Sequence, residues 1–66
     1  AFLWRGESRN DLGQYEQAIQ DFDEVIKLDR TRAYAYYTRG QTHQLLGNSE
    51  DAERDLQKAK ELGYTP

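Results

Sequence analysis

Apolar residues along this chain recur at three- and four-residue intervals. Ala18, Phe22, Val25 and Ile26 form one such series, and Ala52, Leu56 and Ala59 form another. That spacing places side chains on one face of a helix, and strands are not indicated. Two Leu-Gly pairs, Leu12-Gly13 and Leu46-Gly47, interrupt the runs with the residue that most readily takes a positive φ. Just beyond them, Gln14 with Gln17 and Asn48 with Asp51 stand three apart, and Glu16, Glu50 and Asp51 put negative charge where a first turn would lie. Thr31 is in position to cap a third helix. These signals predict an all-α chain with helices near 1–12, 15–29, 32–46 and 49–62, arranged twice over as helix, tight turn, helix.

The two halves are copies. Shifted by 34 positions, residues 1–32 align with 35–66, and ten of the 32 pairs are identical. Arg5-Gly6 matches Arg39-Gly40, Leu12-Gly13 matches Leu46-Gly47, and Ala18, Asp21 and Leu28 match Ala52, Asp55 and Leu62. A period of 20–50 residues signals stacked units that share a continuous core. The chain therefore reads as one unit over 1–66, with repeat one at 1–32 and repeat two at 33–66, two antiparallel helix-turn-helix hairpins stacked as an α-solenoid. Gly6 and Gly40 fall inside helices, where glycine costs about 1 kcal/mol relative to alanine. Ala18 and Ala52 stand at matching points of the partner helices, so the hairpins are expected to close there with their backbones nearly touching. The repetition of Arg5 with Asp21 and of Arg39 with Asp55 predicts an ion pair across each hairpin; the alternative is two solvated charges.

The motif Phe2-x-x-Arg5-Gly6, Gly13, Ala18-x-x-x-Phe22, Leu28-Asp29, echoed by Tyr36-x-x-Arg39-Gly40, Gly47, Ala52-x-x-x-Leu56, Ala59, Leu62, resembles the tetratricopeptide repeat over the whole chain. The chain departs from that pattern with Arg5 and Arg39 in place of leucine, with Arg9 and His43 in place of an aromatic residue, and with Arg30 and Tyr64 in place of the closing proline. The resemblance implies a protein-interaction scaffold with a concave groove lined by the first helix of each repeat. On this chain that face would carry Leu3, Trp4, Glu7, Asn10 and Asp11, then Tyr34, Tyr37, Thr38, Gln41, Gln44 and Leu45. Trp and Tyr are frequent binding anchors; Tyr36 is expected in the core, and Phe2, Leu3 and Trp4 have packing against a further repeat as an alternative role. Relatives that clamp chaperone tails present lysine, asparagine and arginine where this chain has Leu3, Glu7, Tyr34 and Thr38, so that chemistry is absent. Self-association through the apolar first helix, by dimerisation or exchange of hairpins, is the competing expectation.

Composition narrows the field further. A chain of 66 residues buries only about 60% of its unfolded surface, which makes its stability marginal. Nine basic and twelve acidic side chains give a net charge of -3 without a block of either sign, which argues against nucleic acid as a partner. The longest apolar run, Ala1 to Trp4, is far short of a membrane helix. The absence of cysteine is compatible with a reducing, cytoplasmic setting. His43 is the only histidine and has no cysteine to join it as a metal ligand. The glycines are spaced as helix punctuation, with no phosphate loop, and Asp21/Asp23 and Glu50/Asp51 read as solvated faces and caps. No enzyme, cofactor or metal role is expected. The chain lacks an initiator methionine and opens on apolar residues, as a part of a longer protein would. Repeat two has Ser49, Glu53 and Lys60 where repeat one has Tyr15, Ile19 and Ile26, a polar face of the kind that closes an array.

Overall fold

The computed structural model describes residues 2–64, with side chains from Trp4 onward. The described residues form four α-helices and no strand: α1 (Phe2–Asp11), α2 (Tyr15–Leu28), α3 (Ala33–Leu45) and α4 (Ser49–Glu61). Each hairpin turns through the same device. Gly13 (φ +80°) and Gly47 (φ +82°) take the left-handed conformation, and their N–H groups donate to Asn10 and Gln44 at 3.1 Å. The next N–H, of Gln14 or Asn48, reaches back to Arg9 or His43 at 2.8 Å, closing a Schellman motif that satisfies the last carbonyls of the helix. Leu12 and Leu46 fall in these turns, so the helices stop one residue short of the boundaries expected from periodicity.

Other helix ends differ from expectation. Gln14 and Asn48 occupy the N-cap positions of α2 and α4, but neither side chain makes a capping hydrogen bond. Thr31 does not cap α3. Arg32 holds that position, without a side-chain cap, while the Thr31 hydroxyl and N–H donate to Asp29 Oδ1 at 2.6 and 3.0 Å. Asp29 leaves α2 in an extended conformation, and its charged carboxylate, two residues away, captures the donors of Thr31. Those bonds hold the Asp29 carboxyl below its ordinary pKa.

α1 packs on α2 and α3 on α4 within the hairpins, while α3 also packs on α2 and meets the edge of α1. The core comprises Ala18, Phe22, Val25, Ala35, Tyr36, Ala52 and Ala59, with Phe22 fully buried. The helix-interior glycines admit this arrangement: the expected backbone approach is present at Gly40 against Ala52, whereas at Gly6 the nearest neighbour is Phe22. A Cβ on Gly6 would stand 2.6 Å from Phe22 Cε1, and one on Gly40 would stand 3.0 Å from Leu56 Cγ and 3.2 Å from the Ala52 carbonyl oxygen. Gly6 thus gives way to the Phe22 ring, one helical turn beyond Ala18, because the large side chain and not the backbone fills the gap. On the far face of α4, Ser49, Glu53 and Lys60 are exposed, whereas Tyr15, Ile19 and Ile26 of α2 are half-buried.

Candidate partner-binding groove

The repeated charges form the outer seam of the molecule. Arg5 holds Asp21 through Nη2 at 2.8 Å and Nε at 3.2 Å, and Arg39 holds Asp55 through Nη2 at 2.7 Å and Nε at 2.8 Å. Both expected pairs are formed. A second basic residue one turn along joins each carboxylate: Arg9 Nη1 lies 3.2 Å from Asp21, and His43 Nε2 lies 3.6 Å from Asp55. Arg39 also donates through Nη1 to Asp23 of the preceding hairpin at 2.7 Å, so one guanidinium ties two repeats together. Its carboxylate partners raise its pKa above the ordinary arginine value in spite of burial, and Asp21 does the same for Arg5. Along this seam a concavity of about 550 Å³ is bordered by three basic residues, Arg5, Arg9 and Lys27, by three acidic residues, Asp21, Asp23 and Glu24, and by Gln20. Its charges compensate one another.

A different face opens between α1 and α3. Glu7, Asn10 and Asp11 of α1 recur at helical spacing, as do Tyr34, Thr38 and Gln41 of α3, so each set projects from one side of its helix. Together they line a groove of about 290 Å³ whose floor is reached by the Phe22 ring. The helices are pinned where Thr42 Oγ1 donates to Asn10 Oδ1 at 2.9 Å. The same hydroxyl lies 2.9 Å from the Thr38 carbonyl oxygen, so its single proton is shared between the two acceptors. The Tyr34 hydroxyl faces the Glu7 carboxylate across the groove, and that interaction, with burial next, pushes the phenol pKa up to about 12.

The structure brings Glu7, Asn10, Asp11, Tyr34, Thr38 and Gln41 together, all residues singled out by the sequence, but their roles are unequal. Thr38 is buried and its hydroxyl is spent on its own helix, 3.0 Å from the Tyr34 carbonyl oxygen and 3.1 Å from that of Ala35. It shapes the groove without offering a donor to a ligand. Trp4 is 75% exposed and lies outside the lining, as do the exposed Gln44 and Leu45. The Leu3 side chain lies outside the described residues. Tyr37 has one face covered: its ring stacks on Tyr64 at 4.5 Å between centroids and 19° between planes, and its hydroxyl accepts from Gln41 Nε2 at 2.9 Å. Tyr34 joins them with centroids 6.5 Å from Tyr37 and 5.8 Å from Tyr64. Tyr64 and Phe22 were not expected at this face. The first signal for Tyr64 is its place directly after Gly63, whose N–H closes on Lys60 while that of Tyr64 closes on Ala59, each at 3.0 Å, turning the chain back toward α3.

Among the described residues no cluster of histidine, cysteine and acidic side chains is suited to hold a metal, and no helix is long and apolar enough to cross a membrane. Comparison with known proteins places two matches on the chain: the family described as TPR repeat over residues 6–47, and that described as Tetratricopeptide repeat over residues 33–65. Similar proteins include Tetratricopeptide repeat protein 36 of Danio rerio, 38% identical over 58 residues, which are 88% of this chain and 31% of that protein. Outer envelope protein 61 of Arabidopsis thaliana is 43% identical over 49 residues, 74% of this chain and 9% of that protein. The chain thus spans less than a third of the length of either relative.

Proposed function

Given that this chain belongs to the tetratricopeptide repeat family, whose members generally mediate protein–protein interaction, we propose that it displays the α1–α3 groove to an extended segment of a partner protein. One observation carries the reading. Of these two concavities among the described residues, the groove is lined by polar groups that stand outside the ion pairs, whereas the charges of the outer seam neutralise each other. Asn10 and Gln41 present side-chain amides suited to the N–H and C=O groups of an extended peptide, and Tyr34 with Tyr37 supplies a rigid aromatic wall beside them. The family is typically a non-enzymatic scaffold.

Selection of a phage-displayed random dodecapeptide library on the immobilised chain tests this reading. Enriched peptides are expected to lose binding to Asn10→Ala/Gln41→Ala and to keep it to Gln20→Ala/Lys27→Ala on the outer seam. Peptides that ignore the first variant, or the absence of any enrichment, would overturn it. The high exposure of Trp4 favours a second reading, self-association through α1. Sedimentation equilibrium separates the two, because a monomer at all concentrations removes the second.

A further inference from the structure

Charge is distributed unevenly between the two sides of the groove-forming helices. α1 carries two acidic and two basic residues, and they divide by face: Arg5 and Arg9 turn to Asp21 on the outer seam, while Glu7 and Asp11 line the groove. α3 has no acidic residue, and its Arg39 and His43 both turn to Asp55. The basic residues of both groove-forming helices are thus engaged on the other side of the molecule. The groove lining has Glu7 and Asp11 as its charged residues and no lysine, arginine or histidine. Neither carboxylate takes part in an ion pair among the described residues. They stand four apart on one helix, where like charges repel. A cation between them removes that repulsion.

We infer that the α1–α3 groove recognises a basic segment of its partner, with an arginine side chain seated between Glu7 and Asp11 and its flat guanidinium against the tyrosine wall. This rests on the groove reading above and gives it a chemistry. A guanidinium presents a fork of donors that matches a carboxylate and stacks on aromatic rings, so it meets both features of the site. The aromatic geometry sets arginine above a methylated ammonium. Tyr37 and Tyr64 stack face to face, 4.5 Å between centroids and 19° between planes, and Tyr34 tilts by 31° and 36° against them, so the rings cover one another and form no open box around a cation, whereas a flat guanidinium needs only one outer ring face. The amides of Asn10 and Gln41 engage the peptide backbone on either side of the arginine.

A positional-scanning dodecapeptide library in which successive positions hold arginine, lysine, citrulline or glutamate, titrated by fluorescence anisotropy in low salt, decides the matter. Citrulline keeps the shape of arginine and lacks its charge. Arginine at the preferred position should bind about tenfold more tightly than citrulline, with lysine between them. In Glu7→Gln/Asp11→Asn the preference should fall to parity. In Glu53→Gln/Glu61→Gln, which changes net charge equally on the exposed side of α4, it should persist. Equal binding of arginine and citrulline, survival of the preference in the groove variant, or equal loss in the α4 variant would each overturn the inference. If uncharged pools bind as well and lose affinity in Asn10→Ala/Gln41→Ala, the groove stands while its basic specificity falls. If no pool binds, both fall together.

Discussion

Replacing Asp55 with asparagine removes one charge and almost no volume, and the structure sets the size of the effect. The Asp55 side chain is 8% exposed and accepts two hydrogen bonds from an Arg39 that is 20% exposed, with His43 Nε2 at 3.6 Å. Breaking a fully buried ion pair costs about 3–5 kcal/mol, and losing a hydrogen bond to a charged group costs about 1.5–3. Arg39 retains Asp23 and some access to water, so we expect Asp55→Asn to cost about 2 kcal/mol, below the fully buried range and within that for a charged hydrogen bond. A domain of this size has a total stability of about 3–10 kcal/mol, and each kcal/mol shifts Tm by about 4–8 °C, which places the fall near 10 °C. Asp23→Asn cuts the other arm of the same guanidinium, but that carboxylate is 53% exposed, and the loss should be about 0.5 kcal/mol. Thermal unfolding followed by circular dichroism at 222 nm, with and without 0.5 M salt, measures both. The Asp55 effect should persist in salt, where the Asp23 effect fades. Equal shifts for the two variants, or a shift below about 2 °C for Asp55→Asn, would refute the view that the repeated pair holds the second hairpin together.

Gly6→Ala should lower stability by about 1–3 kcal/mol despite the better helix propensity of alanine, because the new methyl group would stand 2.6 Å from the fully buried Phe22 ring; an unchanged or higher Tm would show that the ring can yield. His43→Arg gives repeat two the arm that Arg9 gives repeat one, and should raise stability at pH 7.5 by about 0.5 kcal/mol. A loss in denaturant unfolding would show that the His43 site does not accommodate the longer side chain. Tyr34 has a folded-state pKa near 12 against an unfolded value of 10.0, so its contribution to stability is complete below pH 10 and disappears as pH rises from 10 to 12. Absorbance at 295 nm should show a late-ionising phenol that Tyr34→Phe removes and Glu7→Gln moves back toward 10. Persistence of that component in Tyr34→Phe would assign it elsewhere.

What could be read from the sequence is what the chain states twice. The glycine turns, the buried Ala18 and Ala52 and the Arg–Asp pairs each occur in both copies, so a shift of 34 residues exposes them without any knowledge of geometry. Features stated once stayed hidden. Asp23 joins Arg39 across the hairpins, but Gln57 occupies its place in repeat two, and no duplication marks the contact. Tyr64 stands opposite Arg30 in the same way, and only the turn at Gly63 brings it onto Tyr37. Local competition between acceptors misled in two places. Thr31 prefers the Asp29 carboxylate to the end of α3, and the Thr38 hydroxyl turns to the carbonyls of its own helix, although the spacing of both residues suggested other tasks. Helical periodicity gathers Glu7, Asn10 and Asp11 opposite Tyr34 and Gln41, yet it cannot say that Trp4, Gln44 and Leu45 lie beyond the groove, which depends on how the two helices cross.

The claim that the α1–α3 face binds a partner is tested most directly by amide chemical-shift mapping of the whole 15N-labelled chain with a peptide enriched on it. Glu7, Asn10, Asp11, Tyr34 and Gln41 are predicted to move together and saturably, with little change at Gln20, Glu24 and Lys27. The largest shifts falling on that outer seam, or on the exposed side of α4, would contradict the account.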